Sequence, residues 1–80
     1  MANNLTWSDP GTIVLTRSLP EHGFAAGDVG LIVHVYEGEK GFEVEFVAGS
    51  GSTVAVVTLG AGDIRPVATR EILHVRRIPA

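Results

Sequence analysis

Glu43 and Glu45 stand two residues apart in FEVEFV, and three histidines, His22, His34 and His74, are spread along the chain. Paired carboxylates are the equipment of general acid–base catalysis, and histidine is a common zinc ligand. Gly49-Ser50-Gly51-Ser52 offers hydroxyls on a glycine-rich turn, the raw material of a phosphate cradle or a serine nucleophile. Arg65, Arg70, Arg76 and Arg77 gather positive charge late in the chain, where it would suit a nucleic-acid backbone. Each of these chemistries needs a supporting arrangement, and the spacing decides whether it is there.

The two carboxylates occupy alternate positions of a strand-like run, so they project side by side from one face, whereas a glycosidase holds its pair across a cleft. No two histidines have ligand spacing, and the chain has no cysteine to complete a set. His34 is expected opposite Glu43 as a solvated cross-strand pair. The serines lack the glycine-framed elbow of a nucleophile, and no helix follows them to bind phosphate. The reading is therefore of a protein that is not an enzyme and takes no metal or other cofactor.

Six basic against nine acidic residues give a formal charge of -3, the wrong sign for a protein that neutralises phosphates. The arginines also have no aromatic platform beside them on which bases would stack, and Glu71 stands among them. They read as a solvated strand edge. No run of ~18 apolar residues suggests a membrane helix, and MANNLTWSDPG lacks the basic start and apolar stretch of a signal peptide. A soluble, cytoplasmic protein is expected.

The elements that position these residues are short. At 80 residues the chain has room for one small core and no deep walled pocket. Residues 1–11 form a polar lead-in that ends in the turn Asp9-Pro10-Gly11, with Trp7 expected to cover one end of the core. Thr12 to Arg17 is rich in β-branched residues and predicts a first strand with Ile13 and Leu15 on one face. Pro20, Gly23 and Gly27 interrupt the next stretch, Ser18 to Asp28, which predicts a loop folded over Leu19 and Phe24.

Gly27 to Val47 then reads as a hairpin. Its alternation places Val29, Leu31, Val33, Val35, Phe42, Val44 and Phe46 inward, with Val35 opposite Phe42, Val33 opposite Val44 and Leu31 opposite Phe46. The turn closes over Glu37 to Lys40. Thr53 to Leu59 is a fourth strand, apolar in both phases; Ala55, Val57 and Leu59 inside bury more than Val54 and Val56 would. Gly60 to Pro66 suits a 3-10 turn, and Ile72 to Ile78 predicts the closing strand, with Leu73 and Val75 inward and His74 and Arg76 outward. The fold class is all-β: a small five-stranded barrel over residues 12–78 with one 3-10 turn before the last strand.

Strand, diverging loop, hairpin, short turn, 3-10 turn and closing strand is an order that resembles the SH3-like barrels over about residues 11–78. More narrowly, Leu19-Pro20-Glu21, Gly27-Asp28-Val29-Gly30, Tyr36, Glu43-Val44-Glu45-Phe46 and Asp63-Ile64-Arg65-Pro66 resemble a bacterial family of short proteins, a domain of unknown function common in cyanobacteria. The resemblance implies the fold and no activity. Some such small proteins look like the antitoxin or immunity half of a gene pair.

On the outer face the assumed registers align Gly30–Val47–Val54, Ile32–Glu45–Val56 and His34–Glu43–Thr58, with Tyr36 at the end. Apolar groups rimmed by carboxylates are the composition of a protein contact. The protein-binding residues are thus expected to be Ile32, His34, Tyr36, Glu43, Glu45, Val54 and Val56, and the partner another protein or a second copy in a homodimer. Two readings from other classes stay open: a nucleic-acid-binding barrel using the late arginines, and an accessory subunit of a larger enzyme.

Overall fold

In the computed structural model, residues 11–68 and 70–78 are described, so the expectations for Trp7 and for the rest of residues 1–10 fall outside the described residues. Five antiparallel strands form one sheet: β1 (Thr12–Leu15), β2 (Val29–Val35), β3 (Phe42–Val47), β4 (Thr53–Leu59) and β5 (Ile64–Pro66), in the order β4-β3-β2-β1-β5. Short 3-10 turns occupy Pro20–His22, Glu37–Glu39 and Ala61–Asp63. No helix among the described residues is long and apolar enough to cross a membrane.

The sheet is strongly curled. β4 and β5 are its two margins, yet only residues 60–63 lie between them. Flat margins four strand spacings apart would be about 19 Å from one another, whereas four residues at a 3-10 rise advance about 8 Å. Curling brings Leu59 of β4 and Ile64 of β5 into one buried cluster with Ile13, Leu15, Phe42, Val44 and Phe46. The result is a small β-barrel-like fold. Thr16 and Arg17, expected as strand, instead hold the linking turn: the Thr16 amide donates to the Asp63 carbonyl at 2.9 Å, and Arg17 Nε to Asp63 Oδ1 at 2.7 Å.

The loop between β1 and β2 folds as its composition predicts. Leu19 and Phe24 exchange backbone hydrogen bonds of 2.9 and 3.1 Å and are both buried. The Phe24 ring lies 4.3 Å from that of Phe46, centroid to centroid, and so ties the loop to the barrel.

The register of the hairpin differs from simple alternation. Val35 pairs with Phe42 and His34 with Glu43 as expected, but Ile32, not Val33, pairs with Val44, and Leu31 pairs with Glu45 rather than Phe46. Val33 is the extra residue of a β-bulge, where two residues face one and the phase of the strand is reset. Gly30 is therefore buried, Ile32 packs against the core, Leu31 and Val33 are exposed, and Val29 lies half-buried outside the core cluster. The reason lies at Gly30. A Cβ there would sit 2.6 Å from Val44 Cγ1 and 3.0 Å from the Phe46 ring, so the interior is already filled where Leu31 was expected. A second irregularity between Phe46 and Val47 pairs Val47 with Thr53 instead of Val54. Beyond it β4 keeps the expected phase, with Glu45 opposite Val56 and Glu43 opposite Thr58.

The closing strand is also displaced. Ile64–Pro66 pairs with β1, and residues 71–78 run outside the sheet. Leu73 and Val75, expected inward, are exposed, and His74 and Arg76, expected outward, turn in. The place beside β1 is taken by residues that follow the 3-10 turn directly, which leaves the later segment only a surface path.

Gly30→Ala should lower the unfolding free energy by ~1–3 kcal/mol in urea titrations, because Val44 and Phe46 must give way. Phe46→Ala should cost ~3–5 kcal/mol by loss of a buried ring. Wild-type stability in either variant would contradict this packing.

Candidate interaction surface

The outer face of β2, β3 and β4 gathers most of the residues expected to bind a partner. His34, Tyr36, Glu43, Glu45, Val54 and Val56 share it; Ile32 does not, because the bulge at Val33 turns it toward the core. In its stead the face carries Leu31, Val33 and Val47, which are 41, 53 and 45% exposed. Alternation concealed Leu31 and Val33, which it placed inward; it did put Val47 on the outer face, but not among the expected binding residues. Nothing in the residue order says that Val33 is the residue that loops out.

The carboxylates on this face are occupied by hydroxyls. Glu43 accepts from the Tyr36 hydroxyl and, at 2.7 Å, from Thr58 Oγ1; Glu45 accepts from Thr53 Oγ1. The Tyr36 hydrogen bond and then that of Thr58 lower the Glu43 carboxyl, while Glu43 raises the Tyr36 phenol. The His34 ring meets Tyr36 edge-on, with centroids 4.8 Å apart. An acid kept ionised by neighbouring hydroxyls on an open face is a poor proton donor near neutral pH. What the arrangement does is to lock Tyr36, Thr53 and Thr58 in place around an apolar row.

One side of the face is walled by the extended segment 70–78. Together they flank an open groove of about 620 Å³ lined by Leu31, Phe46, Val47 and Val54 on the barrel and by Arg76, Arg77 and Ile78 on the segment. The segment is pinned by charge. Arg76 grips Asp28 with both ends of its guanidinium, Nε to Oδ1 at 2.7 Å and Nη2 to Oδ2 at 2.5 Å, and donates again to the Gly23 carbonyl at 2.9 Å. His74 Nε2 lies 3.1 Å from Asp28 Oδ1, and the Ala25 amide donates to Oδ2 at 2.8 Å. Among the described residues Asp28 is the one charged residue that is buried. Gly27, with φ +97, has His74 Cε1 3.5 Å from where a Cβ would stand, so the backbone there leaves space for the imidazole.

The late arginines are largely consumed by such pairs. Arg65 forms a two-pronged contact with Glu71 at 2.7 and 2.6 Å, and the Glu71 carboxyl is lowered to about 2 by that contact and by the Ala68 amide. With Arg76 on Asp28, only Arg70 and Arg77 of the expected cluster are without an ion pair among the described residues. Nor do three His, Asp or Glu side chains converge among the described residues as a metal site would need.

Burial pushes the Asp28 carboxyl up, but the hydrogen bonds from Arg76, Ala25 and His74 outweigh it and hold it at about 2. A folded value below the unfolded 3.8 stabilises the fold above pH ~4, and that contribution is lost as pH falls toward 2. With allowance for the half-exposed partners, it amounts to about 1–2 kcal/mol. Asp28→Asn should therefore be less stable than wild type at pH 7, and the gap should close between pH 4 and 2 in denaturation profiles. It should also raise protease cleavage within 70–78.

A family model described as Domain of unknown function (DUF4926) matches residues 10–66, a span that includes all five strands and Asp28 but stops before the pinned segment. No curated protein sequence and no solved structure matches the chain. By the extent of the family match, the chain belongs to the family of this domain of unknown function.

Proposed function

We propose that this chain is a non-enzymatic protein-interaction module, an SH3-like barrel that docks on a protein through the outer face of β2, β3 and β4. One observation carries the reading: Leu31, Val33, Val47, Val54 and Val56 are each at least 39% exposed on one face of a domain with so small a core. Single exposed apolar residues are ordinary, but a grouped set beside a groove and rimmed by fixed polar side chains is the composition of a docking surface. Tyr36 adds a partly exposed aromatic ring at one end, a residue type enriched where binding energy concentrates.

The pairing of Arg65 and Arg76 with carboxylates weighs against the late arginines as a nucleic-acid surface. The hydroxyls on Glu43 and Glu45 weigh against a carboxylate pair working as acid and base.

Val56→Lys tests the surface while sparing the fold, because the new ammonium lies opposite Glu45 on the neighbouring strand. Its circular dichroism spectrum should match wild type, and a protein that co-purifies with the tagged wild-type chain from its native cell should be lost. A partner retained equally by the folded variant would remove this face as the docking site.

A further inference from the structure

The two margins of the sheet are defended unequally. β5 is three residues long and contains Arg65 and Pro66, and brevity, charge and proline are devices that keep a sheet edge from pairing with another chain. β4 is seven residues, TVAVVTL, with no charge and no proline. Its backbone pairs with β3 alone among the described residues, and Val54 and Val56 on its outer row are 39 and 51% exposed. An uncharged, β-branched edge of this length is a template for strand addition.

The chemistry of the strand favours its own copy as the occupant. In an antiparallel pair centred on Val56, Val56 meets Val56 of the second copy, Val54 meets Thr58, and Ala55 meets Val57 on the inner row, so no like charges stand opposite one another. The nearest carboxylates, Glu43 and Glu45, lie one strand back and are held by Tyr36, Thr58 and Thr53 within their own chain, so the seam offers no unsatisfied acid that would call for a cationic partner. A self-complementary patch of this kind closes with two-fold symmetry and leaves no repeat of itself exposed.

We propose that a second copy of this chain adds to the sheet through β4, forming an antiparallel β4–β4 seam about a two-fold axis near Val56. The inference rests on the outer face being a protein contact and names its partner.

The chain has no cysteine, which makes single thiols clean reporters. Light scattering on the full chain should give twice the chain mass, and Val56→Lys, which brings two ammonium groups together at the axis, should raise the dissociation constant at least ~10-fold. Under mild oxidation Val56→Cys should form a disulfide-linked dimer well before Ile72→Cys, whose side chain is 94% exposed but lies away from the seam. A wild-type monomer at high concentration, with both thiols cross-linking at one rate, would overturn the proposal. So would a dimer that Val56→Lys leaves intact. If the chain is monomeric but Val56→Lys still releases a different co-purifying protein, the docking surface stands and the second copy is excluded.

Discussion

Between the backbone of β2 at Gly30 and the side chains of Val44 and Phe46 there is no space for even a methyl group, and the outer surface of the barrel follows from that closeness. With the interior filled at this level, Leu31 cannot turn inward, and β2 settles in the phase that buries Gly30 and Ile32. The opposite phase must be recovered before the turn, where Val35 packs against the core beside Phe42, and a single extra residue at Val33 does this. A bulge leaves one residue unpaired and bends the strand. Here it also moves two large apolar side chains, Leu31 and Val33, to the outside of a domain that has few to spare.

Asp28 governs the second part of the surface. A carboxylate this buried is unfavourable unless it is fully hydrogen-bonded and faces a cation. The Ala25 amide supplies one bond from the diverging loop, and Arg76 and His74 supply the rest from a segment that lies outside the sheet. Satisfying one acid thus brings the end of the described chain across the barrel and makes one wall of the groove. Ile72 and Val75 are left almost fully exposed by the same geometry, since the side of the segment that faces the barrel is claimed by polar groups.

The polar residues of the outer face have a comparable division of labour. Tyr36, Thr53 and Thr58 direct their hydroxyls to Glu43 and Glu45, which orders the rim without placing an unpaired charge among the valines. Fixing side chains before an encounter reduces the entropy lost on binding. A rim already satisfied within its own chain suits an apolar, strand-mediated contact better than recognition of a charged ligand, and this links the ordered rim to the undefended edge of β4.

Much of this was legible in residue order. Alternation across Phe42, Val44 and Phe46 identified the buried row of β3, the burial argument chose the phase of β4, and the Leu19 and Phe24 fold-back followed from the breakers around them, because each depends on neighbours close in sequence. His34 opposite Glu43 and Val56 opposite Glu45 were readable for the same reason: the turns that set those registers are short. Three features needed the tertiary structure. The inward phase of Gly30 depends on volume already taken by Val44 and Phe46 on another strand. The identity of the last strand depends on which segment first reaches the margin of β1, and Ile64–Pro66 arrives before Ile72–Ile78, whose strand-like composition was sound but whose place was taken. The inward turn of His74 and Arg76 depends on a carboxylate more than forty residues away, which contact geometry records and local pattern cannot. Periodicity reports which residues share a face, but it does not count the atoms already inside or locate the charge that must be answered, and those two quantities decided the surface of this protein.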